Sequence, residues 1–166
     1  MGLSYPGGVH LDKLARFGDR DAVTFPRVHF DDGTLDFSFS GVKTAIVNLI
    51  HQKKMKGEHW DAADVAAGYM HAITDVLCEN FMIAAERDGW GKLVLAGGVS
   101  ANSMLREKVL KAASEKGFSV FMPPLSLCGD NAAMIGSQAY YEVLAGHLGS
   151  FSQNAKPTMS IEKDFM

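Results

Sequence analysis

The chain has 166 residues, a length that suits one domain, and with 47% hydrophobic and 21% charged residues it can bury a sizeable core, so disorder is not the default. A formal net charge of −3 gives no support to autonomous nucleic-acid binding, which normally leaves a basic excess, and no basic stripe is legible along the sequence. Cys78 and Cys128 make neither a zinc spacing nor a disulfide framework, and the absence of a signal peptide or long apolar run predicts a soluble, cytoplasmic protein that does not enter membranes.

The chain opens on the turn Tyr5-Pro6-Gly7-Gly8 and a short helix with Leu11, Leu14 and Ala15 on one side, stopped at Gly18. A turn at once, with no strand before it, has the look of a chain entered midway. Residues 25–39 alternate: Val28 and Phe30 share a face, Asp31-Asp32-Gly33 turns, and Leu35, Phe37 and Phe39 share a face, which predicts a β-hairpin. Ser40 is placed as the N-cap of a helix with Val42, Ala45, Ile46, Leu49 and Ile50 inward, ending near Gly57. Lys43 in its first turn opposes the helix dipole, and reads either as a solvated lysine or as a cation placed for a purpose. Residues 61–89 form the longest helical pattern, with Val65, Tyr69, Ile73, Val76, Leu77, Phe81 and Ala84 inward, Asp61 as cap and Gly89 as stop. Cys78 is a small buried hydrophobe there, and the six histidines read as surface or satisfied core residues without metal-binding spacing.

The centre of the chain is Leu93-Val94-Leu95-Ala96-Gly97-Gly98-Val99-Ser100-Ala101-Asn102: a buried strand, a tight turn and a helix reaching Lys116. Glycines in such a turn let backbone N–H groups approach a ligand, and a helix N-terminus favours anions. Leu105, Val109, Leu110 and Ala113 line that helix, Gly117 ends it, and residues 118–122 form a second strand, giving a βαβ unit with parallel strands. Pro123-Pro124 stop the strand, and after a loop Asp130-Asn131 open a last helix with Ala132, Gly136 and Ala139 as small packing positions. From Gly146 the pattern dissolves into a polar tail.

Ligands of parallel sheets bind beyond the carboxyl ends of the strands. The two segments leaving that edge carry Gly97, Gly98 and Asn102, and then Asp130, so these four residues are expected to share one crevice. Asn102 offers a donor and an acceptor for a ribose hydroxyl or phosphate. Asp130 reads as an N-cap, as a hard oxygen ligand, or as both. Cys128 has no base to activate it and is taken as inert. Ser38-Phe39-Ser40-Gly41 lacks the nucleophile-elbow pattern and no H-E-x-x-H is present, so hydrolase chemistry has no support and no catalytic residue is assigned.

Four stretches in order resemble the TsaD/Gcp family, the tRNA threonylcarbamoyladenosine transferases formerly called O-sialoglycoprotein endopeptidases. They are Leu3-Ser4-Tyr5-Pro6-Gly7-Gly8, Phe37-Ser38-Phe39-Ser40-Gly41-Val42-Lys43-Thr44-Ala45, Ala96-Gly97-Gly98-Val99-Ser100-Ala101-Asn102 and Leu127-Cys128-Gly129-Asp130-Asn131-Ala132-Ala133-Met134-Ile135. The closing Asn154-Ala155-Lys156-Pro157 also fits. The resemblance implies an α/β chain forming part of an actin-like, Hsp70-like (ASKHA) nucleotide-binding fold, with residues 1–150 as its C-terminal lobe and residues 151–166 as a tail. It implies transfer of threonylcarbamoyl from threonylcarbamoyl-adenylate to the exocyclic amine of the adenosine beside the tRNA anticodon, with AMP leaving. By the same resemblance Asn102, Gly97 and Gly98 bind the adenylate, and Asp130 ligates a divalent metal, iron or zinc. Accessory proteins of the threonylcarbamoylation machinery are the implied partners.

The family's H-x-x-x-H metal pair is missing from these residues, as are its Ser-Gly-Gly-His and Asp-Asp-Ala-Ala-Gly-Glu segments. All lie upstream in family members, so the chain resembles the C-terminal half. One carboxylate does not hold a catalytic metal alone. The polypeptide by itself is therefore expected to lack transferase activity and to retain metal and nucleotide poorly, and exposed strand edges make a homodimer plausible. Two other classes stay open: the lobe of an actin-superfamily small-molecule kinase, and a non-catalytic partner docking on a related subunit.

Overall fold

The computed structural model describes residues 1–30, 32–155 and 157–158. Asp31 of the expected turn, Lys156 of the closing stretch and residues 159–166 of the polar tail lie outside the described residues. The chain divides into two compact units, Met1–Gly129 and Asp130–Met166.

The first unit is built on one helix. Helix α1 spans Gly7–Ala15, α2 spans Ser40–Lys56 and α3 spans Ala62–Arg87. Strand β1 (Lys92–Val94), helix α4 (Ser103–Glu115) and strand β2 (Ser119–Phe121) follow. The strands pair in parallel, with Leu93 opposite Val120, so the expected βαβ unit is present, although the first strand is not buried as expected: only Leu93 is covered, and Lys92 and Val94 are exposed. Asp61 caps α3 by accepting from Ala63 N at 2.6 Å, and Gly89, at φ 72°, ends it as foreseen.

The side chains buried on α3 depart from the expected stripe. Val65 and Val76 are buried, but Tyr69, Ile73, Leu77, Phe81 and Ala84 are only partly covered. Small residues fill the closest contacts instead. Ala66, Ala67 and Met70 pack on Ala15 of α1. Val65 and Ala72 pack with Phe25 and Val42. Cys78, Met82 and Ala85 pack with Leu93, Leu105, Val109 and Ala113. A helix covered on several sides in succession cannot show a single apolar stripe. Burial pushes the Cys78 thiol above its ordinary pKa, in keeping with an inert core residue.

Three further expectations change. No strand pairing forms within residues 25–39 among the described residues. The segment instead runs along α3: Phe25 meets Tyr69 edge to face at 5.8 Å, Arg27 pairs with Asp75, and Asn80 Nδ2 donates to Leu35 O at 3.0 Å. Side chains of the helix thus take up anchoring roles that a hairpin would have met internally. Gly18 is no left-handed stop; a Cβ there would overlap the backbone of Ala63, so it is the point where the chain crosses the start of α3. Ser40 is the first residue of α2 rather than its cap, and Phe39 at the cap position makes no side-chain hydrogen bond.

The second unit contains helix α5, Ala132–Leu144, whose cap is Asn131: its Oδ1 accepts from Met134 N at 3.0 Å. Tyr140 and Tyr141 meet edge to face, and Glu142 accepts from Gln138. Among the described residues, no helix is long and apolar enough to cross a membrane.

Candidate functional site

Where β1 ends, Leu95 N still donates to Phe121 O at 3.0 Å. Gly97 then turns the chain at φ 86° and ψ 171°, a conformation essentially confined to glycine. A 3-10 turn, Gly98–Ala101, leads to Asn102 and α4. Gly98 faces open space: nothing lies within 4 Å of where its Cβ would be. Among the described residues no acceptor takes the backbone N–H of Gly97, Gly98 or Val99. The turn therefore presents a short run of free donors on an exposed surface, the property for which the glycine pair was singled out.

Asn102 serves α4 first. Its Oδ1 accepts from Leu105 N at 2.8 Å, a standard N-cap bond. That leaves the side-chain amide N–H groups as the part able to meet a ligand. The helix N-terminus itself is less available than expected. Asp12 of α1 reaches it: Ser103 N donates to Asp12 Oδ2 at 3.3 Å and Ser103 Oγ to Asp12 Oδ1 at 3.0 Å. A carboxylate already occupies the place an anion would take, so the donors of the Gly97-Gly98 turn are what remains for a ligand.

Arg106, one turn into α4, fixes the turn from behind. Its Nη1 donates to Ser100 O and its Nη2 to Pro123 O, both at 3.0 Å. The same Nη1 lies 3.7 Å from Cys128 Sγ. The loop after β1 and the loop after β2 thus hang on one guanidinium, whose planar fork suits two carbonyls at once. Ser100 is buried and its hydroxyl has no partner among the described residues, so its fixed feature is its carbonyl. Cys128 is buried, with its Sγ 3.5 Å from Pro124 O. Neither Arg106 nor Asp12 was foreseen. Their contacts join residues up to 91 positions apart, and no local pattern encodes them.

Asp130 opens the second unit, exposed and outside α5. Asn131 takes the capping role that was one reading of Asp130, which leaves that carboxylate without a structural task among the described residues. Among these residues no three His, Cys, Asp or Glu side chains come together. A lone carboxylate does not fit a catalytic metal by itself. Of the histidines, His71 differs from expectation: its Nδ1 is buried without a partner among the described residues, and burial holds its pKa below the usual value.

A parallel βαβ unit whose strand-to-helix turn exposes free backbone donors marks an α/β protein, a class in which ligands bind beyond the carboxyl ends of the strands. Residues 1–137 match the family model described as TsaD, tRNA N6-adenosine threonylcarbamoyltransferase. The chain belongs to the TsaD family. It is 47% identical over 161 residues to the tRNA N6-adenosine threonylcarbamoyltransferase of Clostridium botulinum (strain 657 / Type Ba4), covering 97% of this chain and 47% of that relative. It is 48% identical over 159 residues to that of Clostridium beijerinckii, covering 96% and 47%, and 46% identical over 161 residues to that of Clostridium perfringens (strain 13), covering 97% and 48%. The chain spans about half the length of the curated relatives it matches.

Proposed function

We propose that these residues form the adenylate-binding portion of a tRNA threonylcarbamoyltransferase. The observation that carries the reading is the Gly97-Gly98 turn: free N–H donors beside Asn102, in open space, held by Arg106. The reaction is acyl transfer. The exocyclic amine of the tRNA adenosine attacks the carbamoyl carbon of the mixed anhydride. The new C–N bond forms as the C–O bond to phosphate breaks; AMP departs with the electron pair and the amine loses a proton. Donors aimed at a phosphate or carbonyl oxygen assist by stabilising the charge that develops there. In this reading Gly97 and Gly98 line the nucleotide, the Asn102 amide donates to ribose or phosphate, and Asp130 contributes a metal-binding carboxylate that needs ligands from other residues. The freedom of Asp130 from capping supports that role.

We infer also that the polypeptide of residues 1–166 does not transfer the group unaided, and that the complete enzyme works in the cytoplasm with accessory proteins. The test joins these residues to the N-terminal half of the Clostridium beijerinckii relative. The joined protein then receives accessory proteins, threonylcarbamoyl-adenylate and unmodified tRNA, with modified nucleoside as the readout. Modification that Asn102→Ser and Asp130→Ala abolish, with the fold intact, supports the reading. Untouched tRNA with phosphorylation of a small molecule would replace it with the kinase alternative.

A further inference from the structure

Helix α2 packs on the first unit through Val42, Ala45, Ile46 and Leu49, which leaves its opposite face in solvent. That face is basic in a chain that is not. Residues 37–57 contain four lysines and no Asp or Glu; with −3 overall and +4 here, the other residues carry −7. The geometry sorts the lysines. Lys53 pairs with Glu58 at 2.7 Å, and Lys56 lies 3.9 Å from the same carboxylate. Lys43 and Lys54 are exposed and have no acidic partner among the described residues. They stand 11 positions apart, which returns to about the same azimuth on an α-helix and spreads them about 16 Å along its axis. His51 lies on the same outward side, with Val47 and Met55 exposed beside it. A stripe of this kind is visible only once the helix is wound, which is why the linear sequence did not reveal one.

We propose that the outward face of α2, with Lys43, His51 and Lys54, contacts the sugar-phosphate backbone of an RNA substrate. Two unpaired ammonium groups on one line complement a chain of phosphates, and exchanging condensed counterions for lysines is the usual source of affinity for nucleic acid. The locally reversed charge favours a polyanion over an acidic small ligand, because the cations are spread along the helix rather than converging on a point. The proposal rests on the transferase reading for the identity of the RNA.

The experiment measures binding of a labelled, unmodified tRNA transcript to the 166-residue chain by fluorescence anisotropy between 50 and 200 mM salt. The double variant Lys43→Glu/Lys54→Glu should bind about tenfold or more weakly, and its log–log salt slope should shrink by about two. Lys111→Glu, an equal change per site on the exposed face of α4, should weaken binding less than about twofold. Lys43→Gln/Lys54→Gln serves if charge reversal disturbs the fold, which circular dichroism reports. No binding by the wild-type chain, equal loss with Lys111→Glu, or an α2 face that binds phosphatidylserine vesicles while tRNA binding ignores it would each overturn the proposal. Modification of tRNA by the protein joined to the N-terminal half separates the two claims. Its failure counts against the transferase reading, whereas the RNA surface stands or falls on the lysine variants.

Discussion

The Arg106 guanidinium donates to the Ser100 carbonyl at 3.0 Å, and this contact holds the Gly97-Gly98 turn against the body of the protein. Its second nitrogen holds Pro123 O at the same distance. Hydrogen bonds to a charged group contribute about 1.5–3 kcal/mol each, and a buried carbonyl left without a donor adds a cost of its own. Arg106→Met should therefore lower stability by about 2–3 kcal/mol. Arg106→Lys should recover only part of it, because a point charge cannot serve two carbonyls in one plane. Urea unfolding of the three proteins checks this, and amide exchange at residues 97–101 should quicken in both variants.

Asn102 carries two roles that substitution can separate. Asn102→Ala removes the cap on Leu105 N and should cost about 1 kcal/mol. Asn102→Ser keeps a capping oxygen and should stay within a few tenths of wild type. Both lose the amide donors, so in the protein joined to the N-terminal half both should lose binding of a threonylcarbamoyl-adenylate analogue by calorimetry. Retained binding in the serine variant would reduce Asn102 to a cap.

Much of this arrangement could be read from the sequence, and the reasons for the rest are physical. The βαβ unit announced itself because Leu93 and Val120 sit in apolar runs separated by a helix-length pattern ended by Gly117. The cap Asp61 was legible because capping is a matter of three or four neighbouring residues, whereas Asn102 was read only as a ligand donor and acceptor and its capping of α4 was missed. The hairpin was misread because the alternation of Phe25 to Phe39 reports burial against something, and the something is α3 rather than a second strand. Gly18 was misread because a close chain crossing and a left-handed turn both demand glycine. Arg106 was invisible because its partners, two backbone carbonyls, have no sequence signature.

The glycines divide into those that serve the fold and those that serve the surface. A Cβ at Gly18 or Gly68 would overlap backbone atoms of Ala63 or Val23. Gly18→Ala and Gly68→Ala should each destabilise by about 1–3 kcal/mol or more, as overpacking does. Gly98→Ala meets no atom within 4 Å and should leave the melting temperature nearly unchanged while weakening adenylate binding. Gly97→Ala should do both, since φ 86° strains any residue with a Cβ by about 1–3 kcal/mol. Thermal melts of the four variants, beside adenylate titrations of the last two in the protein joined to the N-terminal half, test the division.

Asp75 joins three parts of the first unit. Its Oδ2 accepts from Arg27 Nη2 at 2.6 Å and its Oδ1 from Lys108 of α4, while the residue itself belongs to α3. Burial works to raise its pKa, but hydrogen bonds from Lys108 and Arg27, with their charges, outweigh it, so the carboxyl sits below its ordinary 3.8. Lys108 shares that carboxylate with Arg27 and lies near Arg20; burial prevails there and its ammonium titrates below the usual lysine value. For a carboxylate depressed on folding, the unfolded chain binds the proton more readily. The stabilisation is therefore complete above the ordinary carboxylate range and is lost as pH falls through the depressed folded value. The urea midpoint of the wild type should fall on acidification below about pH 4. Asp75→Asn should lower the midpoint at neutral pH and flatten this part of the acid limb, so that the two proteins converge at low pH. Midpoints that stay a constant distance apart down to pH 2 would remove the ionised Asp75 from the account and leave a neutral packing role.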